Sequence, residues 1–379
     1  KGEYESNPNQ PLFILDGFEA TVEKVFDLDM NRVASVTLLK DAAAKAIYGS
    51  RAANGVVVIE TIQPEKGKLK VSYSGDLNIT TPDLSSYDLC NAKEKLQVEW
   101  ESGRYKAYYP IDEQFSLEQY NAIEREIARG VNTYWLAKPL RTGVGHKHSL
   151  YLEGGDDYLR YGVDLSYNKV AGVMKESSRE NVAGAITLSY RYNKMIFRNV
   201  LSVAFNRADD SPYGSFSEYT KLNPYWSPKD ENGNLKRVLG TFQRSYWQTA
   251  SVYYNPLYNA TLGTKNFSKY TEITNNFYME WQMHKDLKFI GRFGYTQKQD
   301  SREDFYPGNH TKFADWTGDN YFKRGSYYIK DGTSKTLKLD ATLNYSKQWD
   351  KHLLFANLNW NMQQNSYEWH SMEAWGFLN

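Results

Sequence analysis

The sequence predicts a mainly β fold: a transmembrane antiparallel β-barrel, present in part, with a small α/β unit at its N-terminal end. Three observations predict it. Apolar and polar residues alternate with period two in run after run. Short and long connections alternate between those runs, as in a barrel with tight turns on one rim and loops on the other. Aromatic residues make up 15% of the 379, with 31 tyrosines and 10 tryptophans, an abundance that suits girdles at a membrane interface better than a soluble core. The totals do not oppose this. A net charge of +1, from 46 basic and 45 acidic residues, gives no reason to expect a nucleic-acid partner. The single cysteine, Cys90, excludes an internal disulfide and a cysteine zinc cluster. No apolar run reaches the roughly 18 residues of a transmembrane helix. A mean hydropathy of -0.69 is compatible with a barrel, whose strands turn only alternate residues to lipid.

Taken in order, Val33, Val36, Leu38 and Leu39 form a short run of strand formers. Residues 40–48 read as a helix, rich in alanine, favoured by Asp41 at its start and stopped by Gly49. After a turn through Asn54 and Gly55, Val56, Val57, Val58 and Ile59 read as a buried strand. The polar turn cluster at residues 64–67 marks a boundary. From Leu69 to Thr80 the residues alternate in the first long strand. Residues 81–146 break the pattern. A helix is expected there from a capping-box start at Ser116 to a stop at Gly130, with a second helical candidate over residues 91–101.

Alternation resumes from Leu159, Thr187, Phe197, Ile273, Leu287, Leu337 and Leu354. Each run has the ten or so residues that a tilted membrane strand needs. Short turns fall at residues 154–157, 193–194, 284–286 and 350–351, with long segments at about 207–270 and 300–335. A soluble β-sandwich has shorter strands and no such parity of loops. On the last hairpins the pattern assigns Leu339, Leu343 and Tyr345 to lipid, and Lys338, Asp340 and Asn344 to the lumen.

Chemistry-bearing motifs mostly have plain readings. His146 and His148 share a strand face, as metal ligands can, but no third ligand lies near in sequence, and surface histidines explain them. The pairs Asp156–Asp157 and Asp209–Asp210 could serve glycoside hydrolysis, yet both sit at strand ends where Asp is a routine turn residue. Residues 49–55 lack the Lys-Ser/Thr ending of a phosphate loop and follow a helix instead of opening one. Residues 230–234 lack the ligand spacing of a calcium loop. No nucleophile elbow is present. Catalytic, cofactor-binding and metal residues are therefore none. The aromatic segment at residues 207–270 is more informative. Tyr213, Phe216, Trp226, Tyr246 and Trp247 are candidate contacts for a substrate or a covering partner, since exposed rings cover sugar faces and partner side chains. Packing of the loop on itself is an equally weighted alternative.

The stretch KDAAAKAIYGSRAANGVVVIET, residues 40–61, resembles the signature of the plug domain in SusC/RagA-type TonB-dependent outer-membrane transporters. NPNQPLFILDGFE, residues 7–19, is similar to the family's earlier plug segment. Residues 87–94, 139–143, 154–156 and 211–217 also resemble family stretches. The signature places Asp16, Gly17, Lys40, Asp41, Tyr48, Gly49, Arg51, Asn54 and Gly55 in the plug motif.

The resemblance implies a C-terminal part of the plug over residues 1–66 and an N-terminal part of the barrel over residues 67–379. About ten strands with long extracellular loops are readable, too few to close a barrel of about 22. It also places Lys1 already inside the plug. The implied function is TonB-dependent import of glycans or oligosaccharides, or less often peptides, across the outer membrane of a Bacteroidetes-like bacterium. A SusD-like lipoprotein would serve as lid, and the TonB–ExbB–ExbD complex as energy source. Lipid would surround the barrel, and neither cofactor nor nucleic acid is implied. The rival readings are a glycan-binding β-sheet protein without transport and a surface enzyme. Strand parity puts residues 81–146 and 207–270 outside the cell.

Overall fold

A computed structural model describes residues 10–40, 52–107 and 109–377. Two separate sheets carry the fold. The first has four strands, β1 (Leu12–Leu15), β2 (Phe18–Ala20), β3 (Val33–Leu39) and β4 (Val56–Thr61), in the order β2-β1-β4-β3. The run of β-branched residues in β4 occupies an inner position, parallel to β1 and antiparallel to β3. Val56 and Ile59 are buried there and Val58 is half-buried. Most of the helix expected over residues 40–48 lies outside the described residues. Between β2 and β3 lie two elements that the sequence reading did not include. Helix α1 (Val22–Asp27) is capped by Thr21, and a 3-10 turn (Met30–Arg32) is capped by Asp29.

The second sheet begins with β5 (Gly67–Thr80), β6 (Gly143–Gly155), β7 (Leu159–Ala171), β8 (Ser178–Tyr192) and β9 (Met195–Asp209). A small hairpin of β10 (Val238–Phe242) and β11 (Ser251–Tyr254) stands apart in a connection. The sheet resumes with β12 (Lys265–His284), β13 (Leu287–Tyr306), β14 (Ser326–Trp349) and β15 (His352–Trp375). These nine strands pair in chain order, all antiparallel, with β5 and β15 at the two edges. The wall is open: among the described residues its two edges do not meet.

Antiparallel order puts the tight turns on one rim, including those at Asn193 and Asp350, which adopt φ of 50° and 48°. The connections 81–142, 210–264 and 307–325 share the opposite rim. The strands are longer than the sequence showed. Residues 300–306 were expected in a loop, yet they pair with β14 along their whole length. Both faces are mostly polar there, so alternation no longer marks the strand.

Two helices fold within the first long connection. Helix α2 (Ala92–Glu101) matches the second candidate and carries a reciprocal capping box between Asn91 and Glu94. Helix α3 (Glu113–Ala128) begins three residues before Ser116, led in by a 3-10 turn at Pro110–Asp112. Ser116 is therefore a buried residue inside the helix and not its cap, which corrects the expected start. The stop holds: Gly130, two residues beyond the helix, takes φ of 89°.

Candidate functional site

The first sheet and its helix lie against one face of the wall, and the contact is made by charge. Asp27, the last residue of α1, accepts two hydrogen bonds from Arg179 on β8, at 2.7 and 2.6 Å. This bidentate pair is the strongest geometry available to a carboxylate. Lys147 on β6 donates to the backbone oxygens of Asp27 and Leu28, at 3.0 and 2.8 Å. It thereby satisfies carbonyls at the negative end of the helix. Ser74 on β5 donates to Asp29 at 2.9 Å. Lys24 reaches Glu272 on β12 and Ser202 on β9. Lys338 on β14 donates to Glu19 at 2.7 Å. The Arg32 guanidinium lies 3.3 Å above the Tyr151 ring of β6. A single segment, residues 19–32, thus grips six wall strands through Ser74, Lys147, Arg179, Ser202, Glu272 and Lys338.

These contacts settle which way the wall faces. Lys338 points to the small sheet, and Asp340 pairs with Arg292 at 2.6 Å beside Gly17. The face assigned to the lumen is therefore the face that holds the N-terminal unit, and Leu339 and Leu343 alternate to the other side. A cavity of about 270 Å³ remains between the two sheets, lined in part by Lys24, Asp27, Arg32, Asp164 and Tyr270.

The signature residues fall into two groups. Asp16 and Gly17 form the turn between β1 and β2 with φ of 50° and 86°. The Asp16 carboxylate accepts from the Thr61 amide and hydroxyl at 2.8 and 2.6 Å, tying this turn to the end of β4. A side chain at position 17 would stand 3.1 Å from Arg292 Nε, so glycine here permits both the turn and the close approach of the wall. Asn54 donates to the Gln10 carbonyl, and Gly55 adopts φ of 89° in the turn before β4. Lys40 is exposed at the end of β3. Asp41, Tyr48, Gly49 and Arg51 lie outside the described residues.

At the other rim, the two longest connections share one apolar core. Ala92, Trp135, Leu136, Tyr219, Tyr225, Trp226, Leu239 and Leu257 are buried together. Tyr105 and Tyr225 both donate to the buried Glu99 carboxylate, at 3.0 and 2.9 Å. Burial raises both phenol pKa values first, and the Glu99 charge adds to it, so both remain neutral donors.

The candidate contact residues divide here. Tyr213 and Phe216 pack on the edge of this core. Trp226 is 8% exposed and lies inside it, against the expectation of an exposed ring. Its indole packs tilted against the Tyr253 ring, with centroids 4.6 Å apart. Tyr246 and Trp247 are 65% and 76% exposed and sit edge to face. Sequence reasoning counted all of these as loop aromatics and missed the division. The residues of the 19–32 segment were missed as well. Their signal was a run of mixed charge, Glu19, Glu23, Lys24, Asp27, Asp29 and Arg32, between two apolar strands.

No protein-family model matches the chain. Among curated proteins it is 26% identical over 284 residues to the TonB-dependent receptor SusC of Bacteroides thetaiotaomicron, covering 71% of this chain and 25% of that protein. It is 23% identical to the TonB-dependent receptor P39 of Formosa agariphila, covering 98% of this chain and 33% of that one. The solved RagAB peptide transporter superposes with a TM-score of 0.78 at 18% identity, over 98% of this chain and 43% of that chain. The fold is that of a SusC/RagA-type TonB-dependent receptor. The chain spans about a quarter to a third of the length of these curated relatives. The nine-stranded sheet is an outer-membrane β-barrel wall, seen as an unclosed part, and the four-stranded unit is its plug.

Proposed function

We propose that the chain is the plug-and-wall portion of a receptor that imports a bulky nutrient across the outer membrane, powered through TonB. The observation that carries this is the plug–wall interface. The plug is held by ion pairs and hydrogen bonds to many strands, with a cavity lined by charged and apolar side chains alike and, among the described residues, no buried apolar cluster that joins the two sheets. Such contacts exchange readily for water, so the plug can leave the wall while the ladder of the barrel stays intact. The remaining cavity, at about 270 Å³, is smaller than the roughly 300–1,000 Å³ of ordinary small-molecule sites. On this reading an oligomeric substrate passes when the plug moves.

The substrate class that we favour is a glycan. Exposed Tyr246 and Trp247 offer flat faces at the long-loop rim, which on this reading lies outside the cell, and a SusD-like lipoprotein is the partner expected to cover that rim. Peptide is the second reading, favoured by the likeness to a solved receptor described as a peptide transporter. The test is uptake of labelled oligosaccharides and labelled peptides by cells that carry the full-length receptor, with TonB present or deleted. TonB-dependent uptake of oligosaccharide supports the proposal. Uptake of peptide alone transfers it to the second reading. Equal uptake without TonB contradicts active transport.

A further inference from the structure

The loop that presents Tyr246 and Trp247 is held more firmly than its position requires. It closes the small hairpin of β10 and β11, and most of its residues are exposed. A loop tip of this kind can leave its backbone to water. Here helix α3, which belongs to the other long connection, supports it from beneath. The Gln119 side chain pairs with the Gln243 backbone in both directions: Nε2 donates to the carbonyl at 2.8 Å and Oε1 accepts from the amide at 2.9 Å. The Gln243 side chain in turn donates to the carbonyls of Tyr246 and Gln248, at 3.0 and 2.6 Å. The Tyr246 amide donates to Oδ1 of Asp112 at 3.0 Å.

Asp112 is the unusual member. It is 0% exposed. It immediately precedes α3 but makes no cap bond to that helix, its own backbone being already helical at φ of -89° and ψ of -2°. An Asp at a helix start ordinarily turns its carboxylate to the first free amides of the helix that it leads. This one turns it to a residue 134 positions away. Its other oxygen, Oδ2, is buried with no hydrogen-bond partner among the described residues. A buried carboxylate with one oxygen unmet opposes folding. The stability of α3 therefore does not explain the residue, and what its carboxylate secures is the backbone of Tyr246.

The side chains continue the support. Phe115 of α3 meets Tyr246 edge to face, with centroids 6.2 Å apart and planes at 88°. Tyr246 meets Trp247 in the same way, at 5.5 Å and 87°. Trp247 is the outer end of this relay. Because the last two rings are perpendicular, they cannot both lie flat on one sugar ring. Tyr246 is the wedge, and Trp247 offers the face.

We propose that Asp112, Phe115 and Gln119 are positioning residues that fix Trp247 as the stacking platform for one sugar ring of an incoming oligosaccharide, which rests on the glycan reading above. An indole on a free loop would lose rotamer and backbone freedom when a ligand stacked on it. With the loop already held, that loss occurs on folding, and more of the stacking contributes to binding.

The test is concentration-dependent uptake of labelled neutral oligosaccharides by cells carrying the full-length receptor, normalised to folded receptor, with hydrogen exchange measured on the purified proteins. Trp247→Ala sets the scale: the concentration for half-maximal uptake should rise about tenfold, with the maximal rate kept. Asp112→Ala and Gln119→Leu should each raise it about threefold, again with the maximal rate kept. Both should speed exchange at residues 243–248 and nowhere else in the loop core. Asp112→Asn, which keeps an acceptor for the Tyr246 amide, should restore most of the affinity. A merely structural role predicts faster exchange throughout the loop core, fewer folded receptors and an unchanged half-maximal concentration in those that fold. That result, or silence of both α3 variants while Trp247→Ala acts, overturns the positioning and leaves Trp247 as a contact. No effect of Trp247→Ala removes the platform, and the positioning with it. Uptake of peptide alone overturns the glycan reading and the sugar platform together.

Discussion

The plug–wall interface and the core of the long loops are held together by opposite means. Between plug and wall the contacts are charged and hydrogen-bonded, made by single side chains spread over β5 to β14. In the loops, Trp135, Leu136, Tyr219, Tyr225 and Trp226 form one buried apolar cluster. Burial of aromatic rings is non-directional and lost only when the cluster opens as a whole. An ion pair can be exchanged one partner at a time, for water or for another ion. On the function proposed above, the difference separates a rim that keeps its shape from a plug that can be released.

The largest effect expected is inside the plug itself. Val56→Asp would put an unpaired carboxylate at a fully buried position of β4, costing several kcal/mol. Assembled receptor at the outer membrane should fall sharply, and normal levels would contradict the central place of β4.

The loop core comes next. Trp226→Ala should cost roughly 3–5 kcal/mol locally, as aromatic truncation in a core does. It should raise hydrogen exchange throughout residues 213–257. Trp247→Ala should leave exchange unchanged and weaken substrate capture or lid docking alone. If the two variants behave alike, the division between packed and presented aromatics is wrong.

At the interface, Arg179→Met leaves Asp27 without its bidentate partner, at a cost of roughly 1–3 kcal/mol. Plug release, read as ion leakage through reconstituted receptor, should increase while barrel stability is unaffected. Leakage equal to that of the unmutated receptor would show that this pair does not hold the plug.

The smallest effect is a pH dependence at the third long connection. His310 accepts the Lys312 amide at Nδ1, at 3.0 Å. Burial, and then the Lys312 charge, hold its pKa down at about 4. The unfolded segment therefore binds a proton more readily than the folded one. The contribution of His310 is complete above its ordinary value of roughly 6.5 and is lost as pH falls through about 4. Protection of residues 307–325, corrected for intrinsic exchange, should decline over that window, and less so in His310→Gln. An increase on acidification would reverse the assignment.

Much of the wall was legible because one polar and one apolar face give a period of two, and because Asn193 and Asp350 mark tight turns. The pattern became silent where both faces are polar, so the long-loop ends of β12, β13 and β14 read as loops. The start of α3 was misplaced because Ser116 and Gln119 fit a capping box by spacing alone, whereas Pro110 and Asp112 begin the turn earlier. The burial of Trp226 could not be read locally, since its neighbours include Ala92 and Trp135 of another connection. The same limit hid the plug's grip. Asp27 and Arg179 are ordinary surface residues until the fold sets them 2.6 Å apart.

The most direct measurement concerns whether the plug must leave the wall. Ser74 and Asp29 are in hydrogen-bond contact across the interface. In a full-length receptor with the exposed Cys90 replaced by Ser, Ser74→Cys and Asp29→Cys can be joined by oxidation. Uptake is then measured before and after reduction, with each single-cysteine variant as control. If the plug must leave the wall, uptake stops in the oxidised double variant and returns on reduction. Full uptake through a receptor shown to be cross-linked would contradict it.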